Sequence, residues 1–407
     1  MKSVGEHLDD VLSVVTPLSP MQVQLIDAHG CVLFEDVVVE WPLPMFDNSS
    51  MDGYAVHAGD LSGASVSSPV SLKVVADLPA GTDKVVHVRE GTTARIMTGA
   101  PMPSGADSVV PIEWTDEGVV DVRVNRAPAP GEFVRRAGSD VEAGTVVVAA
   151  GSHLRPAQLA VLASAGRDRV LVRPRPRVVV LATGNELVAP GTRPGAGQIP
   201  DSNSIMLAAA AKEAGAVVFA VGSVGDDPRE LIEVLEDQLV RADVIITSGG
   251  VSVGAYDVVK QAFSRLGTVA FDKVAMQPGM PQGFGRIGPD ETPIFTLPGN
   301  PVSAFVSFEV FVRPALRRML GVEPLERPQV RAVLHEQIRS PEGKRQFLRG
   351  WLDVEDGRYV VRAIGGPGSH LLHGLSQANS LIVVPEDVGH VEAGDAVTVM
   401  LLERRSA

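Results

Sequence analysis

Four near-continuous apolar segments, separated by segments with helical periodicity, dominate residues 175–321. They read RVVVLA, AVVFAV, ADVIIT and PIFTL, and amphipathic helices are expected between them at residues 205–214, 227–242 and 258–266. A strand that is apolar on both faces must be covered on both faces, which parallel sheets with helical connections achieve. This region is therefore predicted to be a doubly wound, mostly parallel α/β domain spanning residues 175–325.

The segments on either side of this domain differ from it in composition. Residues 47–136 contain short extended runs punctuated by Gly, Pro, Ser and Asp, which predicts an inserted β-rich domain. In residues 326–407, Asp356 and Gly357 stand between two strand-like runs, a hairpin signal that favours a C-terminal β-barrel-like domain.

Helices are also expected at residues 4–15 and 156–165, on the two sides of the β-rich insert. We therefore expect residues 1–46 and 137–174 to form one discontinuous, elongated N-terminal domain. The whole chain is predicted to be an α/β multidomain protein with two β-rich domains.

Composition excludes several classes of protein. The chain has 407 residues, 45% of them hydrophobic, and contains no apolar run long enough to cross a bilayer; its first residues are acidic, so a cytoplasmic location is expected. Cys31 is the single cysteine, which rules out an internal disulfide and a thiolate metal cluster. A net charge of −13 without a basic tract argues against nucleic-acid binding, but a small anionic ligand remains compatible with locally gathered donors.

Three strands of the α/β domain end in unusual turns. The glycines of these turns let backbone N–H groups approach an anion, and the hydroxyl side chains add donors. Since parallel strands end at one edge of a sheet, the turns should line one crevice, although none is a standard nucleotide-binding loop. The residues expected to bind a ligand here are Thr183, Gly184, Ser248, Gly249, Gly250, Ser252, Pro298, Gly299, Asn300 and Pro301.

In the turn at residues 298–301, each position has a backbone role. Pro298 fixes φ, Gly299 permits a positive φ, Asn300 can cap the following helix, and Pro301 suits its first position. A helix start presents unpaired N–H groups and is a natural anion seat. Taken alone, the motif is equally compatible with an ordinary tight βα turn.

Carboxylates are expected at the same edge, namely Glu186, Asp226 and Asp257. Carboxylates beside phosphate-binding turns can hold Mg²⁺, which prefers oxygen ligands. Any one of these acids could also be a solvated or capping residue. Asp227 is better explained as a cap, because Pro228 and Glu230 complete a helix-start signature.

Seven motifs along the chain, in the order MDGYAV, RIMTGA, RRAGSD, LATGNEL, SGGVSVG, PGMP and LPGNPVS, resemble those of the molybdopterin molybdenumtransferases. These are the molybdenum insertases, which include the catalytic domain of gephyrin, and the resemblance spans nearly the whole chain. It implies an elongated four-part homodimer whose cleft is shared between subunits. It also implies that adenylylated molybdopterin and molybdate are converted to molybdenum cofactor with release of AMP, using Mg²⁺. Other cofactor-biosynthesis proteins are conceivable partners.

The resemblance also assigns site residues. Glu186, Asp226 and Asp257 would hold Mg²⁺ against the pyrophosphate, while a second set from another domain would close the site. Pro298 and Pro301 would shape their turn, and further contacts to the anionic ligand are implied. The second set comprises Asp52, Thr98 and Asp140, and the further contacts are Lys273, Arg349 and Ser369.

The chain departs from the family pattern at a few positions. Gln277 stands where members often carry Lys, Met280 where some carry Lys again, and Asn185 where an acid is common. The loss of positive charge should weaken anion attraction or shift it onto Lys344, Arg345 and Arg349, since Gln cannot neutralise phosphate. Two other functions stay open: a non-catalytic pterin-binding scaffold, and a molybdopterin adenylyltransferase, whose fold resembles the α/β domain alone.

Overall fold

The computed structural model describes residues 1–225, 227–250, 263 and 267–402, with the backbone alone at residues 220 and 221. The chain divides into two compact units. The first consists of Met1–Gln22, Gly30–Phe34 and Leu171–Ala407, and the second of Val23–His29 and Glu35–Val170.

The first unit contains a six-stranded sheet that confirms the predicted α/β architecture. Its first four strands pair in parallel, and the last two are antiparallel. In spatial order the strands are Val217–Val224, Arg177–Thr183, Val244–Ser248, Thr292–Leu297, Pro281–Ile287 and Gly267–Lys273. All four strands expected from their apolar runs are present.

The two antiparallel strands at this end of the sheet were not predicted, and in Pro281–Ile287 two glycines interrupt the apolar pattern. Gly283 and Gly285 lie within Pro281–Ile287, where a Cβ would approach the Phe271 ring to 2.9 Å and the Thr268 carbonyl oxygen to 2.0 Å. Glycine is therefore required here by close packing, although it is unfavourable for strand formation.

Helices cover this sheet close to where the sequence placed them. Asp227 caps the helix Pro228–Leu239 by accepting a 2.8 Å hydrogen bond from the Arg229 N–H, as expected. The expected helix at residues 258–266 lies largely outside the described residues. Among the described residues, the helices of this unit are Val4–Val14, Asn203–Glu213, Pro228–Leu239, Pro301–Ser307, the π-helix Phe308–Val312, Arg313–Leu320 and Leu372–Ser376.

The first unit also contains a C-terminal mixed sheet. The predicted hairpin is confirmed, with Glu355 opposite Arg358. In spatial order this sheet consists of Met276–Gln277, Arg345–Glu355, Arg358–Ala363, Gln329–Leu334, Ala396–Leu401 and Ser380–Val384. Short strand pairs join Leu187–Val188 to Ile199–Pro200 and Ile338–Arg339 to His390–Val391. Val32–Leu33 pairs with Arg169–Arg173.

The second unit is built on a five-stranded sheet with Tyr54 and Val110 buried in its core. Its strands are Ser108–Pro111, Gly53–Val56, Thr92–Ile96, Val70–Leu78 and Asp121–Val124, in spatial order. The helix Pro156–Ser164 confirms a further prediction, and two short strand pairs complete the unit. They join Asn48–Ser49 to Val134–Arg135 and Val37–Val38 to Val146–Val148. The remaining elements are the strand Met21–Gln24 and the 3₁₀ turns Leu25–Ala28, Ala58–Leu61 and Ile112–Trp114.

Two features noted in the composition can be compared with the structure, namely the single cysteine and the apolar runs. Cys31 is buried, and burial raises the pKa of its thiol. In the described ranges, none of the helices has both the length and the apolar character needed to span a bilayer.

Candidate functional site

The register of the parallel strands brings three strand-end turns side by side. Thr183 lies opposite Val224, and Ala182 lies opposite Ser248. Ser248 in turn lies opposite Leu297, the last residue before the turn at residues 298–301. The carboxyl ends therefore share one edge, as their parallel pairing predicts.

Asn203 connects two of these turns. Its Nδ2 donates to the Ser248 Oγ at 2.8 Å and to the Gly299 carbonyl oxygen at 2.7 Å. The Ser248 Oγ also donates to the Pro298 carbonyl oxygen at 3.3 Å. The Asn203 Oδ1 is buried and has no hydrogen-bond partner among the described residues. Sequence reasoning did not identify Asn203; the available signal was the polar run PDSNS immediately before a helix.

Gly249, like its neighbour Gly250 and unlike Gly299, has a left-handed backbone. Its φ is +99°, and a Cβ there would lie 2.4 Å from the Thr183 carbonyl oxygen. Gly299 lies outside the left-handed region, which corrects the expectation of a positive φ. A Cβ on Gly299 would lie 3.5 Å from the Gly249 Cα, which is an ordinary van der Waals contact.

The helix after residues 298–301 begins as predicted at Pro301, but its capping differs. Asn300 makes no side-chain capping hydrogen bond, which corrects the expectation for that residue; its carbonyl accepts from the Ala304 N–H at 2.9 Å. The Val302 N–H donates to the Ser369 carbonyl oxygen at 3.0 Å. One donor of the expected anion seat is therefore already bound by the protein.

Arg349 holds the loop that carries Ser369. The residue is 4% exposed, and its guanidinium donates to the carbonyls of Gly368 at 3.0 Å, Ile364 at 3.4 Å and Gly366. Burial lowers the pKa of this guanidinium. A ligand contact by Arg349, as the family resemblance implies, would compete with these bonds.

Glu186 lies against the first turn. A Cβ on Gly184 would come within 2.4 Å of the Glu186 Oε2, so the carboxylate sits over the turn backbone. At the end of the neighbouring strand, a Cβ on Gly225 would lie 3.0 Å from the Asn185 Oδ1 and 3.1 Å from the Glu230 Oε2. Glu230 was expected only to start a helix. These oxygens are of the type that hard cations bind.

Several expected site residues cannot be placed. Asp226, Asp257 and Ser252 lie outside the described residues.

Two other expected residues of these turns are placed. Gly250 has a φ of +72°, and the Thr183 Oγ1 lies 3.5 Å from the Ser248 carbonyl oxygen.

In the second unit, Asp52 and Thr98 are in direct contact. The Asp52 Oδ1 accepts from the Thr98 N–H at 2.7 Å and from the Thr98 Oγ1 at 2.8 Å. These bonds lower the pKa of Asp52 and keep it a carboxylate. Asp140 is exposed, and its backbone N–H donates to the Leu43 carbonyl oxygen at 3.0 Å.

The cations expected near Gln277 differ in availability. Lys273 is exposed at the end of its strand, opposite Pro281. Arg345 is paired with Glu386 through contacts of 3.0 and 3.1 Å. The charge expected to replace the missing lysines is thus already partly neutralised at Arg345.

Comparisons with known proteins cover almost the whole chain. Residues 2–166 match a model described as the MoeA N-terminal region (domain I and II), residues 179–318 a probable molybdopterin binding domain, and residues 331–402 the MoeA C-terminal region (domain IV). Two Mycobacterium tuberculosis proteins, named molybdopterin molybdenumtransferase 2 and 1, are 50% and 42% identical to the chain. The alignments cover 98% of this chain and 99% of the first relative, and 99% of both chains for the second. A crystal structure of a molybdopterin biosynthesis moeA protein from Pyrococcus horikoshii superimposes with a TM-score of 0.76 at 32% identity, covering 99% of each chain.

Proposed function

The chain belongs to the molybdopterin molybdenumtransferase family, and on that premise we propose that it transfers molybdate to adenylylated molybdopterin and releases AMP. The observation that carries this proposal is the alignment of three glycine-containing turns at one sheet edge, with the Glu186 carboxylate against one of them. Turn N–H groups and hydroxyls suit the phosphates and the oxyanion, while the acid suits a bridging cation.

Mg²⁺ fits the donor set of this edge, because Glu186 presents a carboxylate oxygen there. Glu186, together with Asp226 and Asp257, would hold the ion. When bound, the ion would neutralise charge on the pyrophosphate. Thr183, Ser248 and the backbone of residues 298–301 would orient the anionic part of the substrate. Asn203 fixes two of these turns to each other, so they form a preorganised surface.

We further propose that Asp52, Thr98 and Asp140 complete the site from the partner subunit of a homodimer. The Asp52–Thr98 contact supports a fixed, ionised acid on this surface. The four-part division at residues 1–46 with 137–174, 47–136, 175–325 and 326–407, and a cytoplasmic location, belong to the same proposal. A monomeric mass in solution would contradict the shared site.

The test is to supply adenylylated molybdopterin, molybdate and Mg²⁺ to the full chain, and to measure AMP and metal-loaded cofactor. Glu186→Gln should slow AMP release strongly, because it removes the carboxylate charge while keeping the shape. Glu236→Gln, an exposed acid on the helix Pro228–Leu239, is the matched control and should leave the rate unchanged. A normal rate in Glu186→Gln would refute the metal assignment.

The same assay separates the two alternative functions. Tight pterin binding with neither product would favour a non-catalytic scaffold. Formation of adenylylated molybdopterin from molybdopterin and ATP would favour an adenylyltransferase. The full-length match to transferases favours the proposed reaction over the latter, since that enzyme resembles the α/β domain alone.

A further inference from the structure

A cavity of about 420 Å³ lies where the helix Arg313–Leu320 meets the C-terminal sheet. It shares no lining residue with the strand-end turns, and its size is that of a small-molecule site. Three arginines and a tyrosine stand in its wall, with leucine and proline side chains beside them. The polar and charged lining residues are Arg313, Arg317, Arg327, Glu326, Tyr359 and Asn379.

Arg327 is fully partnered inside the protein. Its Nε and Nη2 donate to the two carboxylate oxygens of Glu309, at 2.7 and 3.0 Å, and its Nη1 donates to the Leu402 carbonyl oxygen at 2.6 Å. Glu309 lies in the π-helix Phe308–Val312, and its side chain is completely buried. The single charge of Glu309 is therefore committed to Arg327.

Arg313 has no comparable partner. It is 9% exposed, and its Nε lies 3.9 Å from the Glu309 Oε2, beyond hydrogen-bond distance. Its Nε and Nη1 are buried without a hydrogen bond to any described residue. Burial, and then the nearby Arg327, lower the pKa of Arg313 to about 10, so it stays protonated at neutral pH. The Glu309 carboxylate, which forms a 3.9 Å ion pair with Arg313, is already hydrogen-bonded to Arg327, so Arg313 keeps two buried N–H groups without an acceptor among the described residues.

Arg317 also stands in the cavity wall, where it donates to the carbonyls of Pro324 at 2.6 Å and Glu323 at 3.3 Å. Glu326 lines the cavity but is exposed. Glu213 approaches Arg327 to 3.7 Å with a side chain that is 65% exposed, so water screens it.

We propose that this cavity binds a small phosphate-bearing anion through Arg313, with Tyr359 as a platform for the ring of an organic phosphate. A guanidinium presents donors in a fork that matches phosphate oxygens. Tyr359 is 42% exposed, which leaves its ring open to stacking. Free phosphate and an aromatic phosphate ester share this chemistry and differ in their need for Tyr359.

The experiment is a calorimetric titration of the full chain with inorganic phosphate and with phenyl phosphate, at constant ionic strength. Wild type should bind saturably, and Arg313→Met should weaken binding about tenfold or more, because a charged donor is lost. Glu326→Gln should tighten it, since a neighbouring negative charge disappears. Tyr359→Ala should weaken phenyl phosphate alone if an organic phosphate is the ligand, and neither probe if it is free phosphate.

Arg331→Met is the matched control. Arg331 bonds Thr398 and lines no part of the cavity, so its loss should leave affinity unchanged. Phosphate binding at the strand-end turns would be unchanged in Arg313→Met, so this variant distinguishes binding there from binding in the cavity. The proposal is wrong if wild type shows no saturable binding, or if Arg313→Met binds as wild type does. Should Arg313→Met not fold, unchanged affinity in Glu326→Gln, a surface substitution, would overturn it.

Discussion

His7 should make the stability of the first unit fall in mild acid. It lies in the helix Val4–Val14, is 3% exposed, and packs edge-on against Phe311 with ring centroids 4.7 Å apart. Its Nδ1 has no hydrogen-bond partner in the described part of the chain, and the Asp272 Oδ2 is 3.7 Å away. Burial, reinforced by the Lys2 ammonium, lowers the pKa of His7 to about 4.

The magnitude follows from linkage between protonation and folding. In the unfolded chain the pKa of His7 returns to 6.5, so between that value and about 4 the unfolded state binds a proton that the folded state does not. Stability contributed by neutral His7 is complete above pH 6.5 and is lost as the pH falls through this window. From about pH 7.5 to about pH 5 the loss should be about 2 kcal/mol.

The assay compares urea unfolding of wild type and His7→Leu at these two pH values. Leucine cannot titrate, so the variant should lose about 2 kcal/mol less than wild type on acidification. His335→Leu, at a histidine whose side chain is 45% exposed, is the control and should behave as wild type does. The reasoning is refuted if His7→Leu and wild type lose equal stability, or if NMR titration gives folded His7 a pKa near its ordinary value.

Three further substitutions test the candidate site. Gly249→Ala should destabilise the protein by about 1–3 kcal/mol in thermal or urea unfolding, because the φ of +99° and the Thr183 carbonyl both oppose a Cβ. Thr98→Val should raise the pKa of Asp52 towards its ordinary value, observable by carboxyl NMR, because one of two hydrogen bonds disappears. Arg349→Leu should cost about 2 kcal/mol or more of unfolding free energy, since three carbonyls of a partly buried loop lose their charged donor.

Each of these has an internal comparison. Gly191 has a φ of +91° with nothing within 4 Å, so Gly191→Ala measures backbone strain without the clash. If Gly249→Ala costs no more than Gly191→Ala, the close approach to Thr183 is unimportant. An unchanged Asp52 pKa in Thr98→Val would assign the shift to the backbone N–H alone. Arg349→Lys should rescue little, because a single ammonium cannot bridge several carbonyls.

The parallel strands of the α/β sheet illustrate what sequence can predict. Runs such as RVVVLA are apolar at every position, and only a strand covered on both faces satisfies that pattern. The same logic predicts the shared edge at Thr183, Ser248 and Leu297, because parallel pairing leaves no alternative placement. The strand Pro281–Ile287 was not predicted because close packing against the adjacent strand, and not local preference, requires its glycines.

The finer structure of the site depends on contacts between distant segments, which local pattern does not encode. Asn203 reaches partners 45 and 96 residues away, and its sequence neighbours suggest only a helix start. The approach of Glu230 to Gly225 and the bond from Val302 to the Ser369 carbonyl are likewise products of tertiary packing. Asn300 looked like a cap by residue type, but Pro301 and the carbonyl of Ser369 complete the helix start without its side chain.

The bond between the Val302 N–H and the Ser369 carbonyl has an evolutionary consequence. A loop held by Arg349 helps determine how many donors the helix start at Pro301 can offer a ligand. Insertions or deletions in residues 364–369 can therefore alter oxyanion preference while the PGNP turn stays unchanged. Relatives that share the turn but differ in that loop should be treated as separate specificity groups.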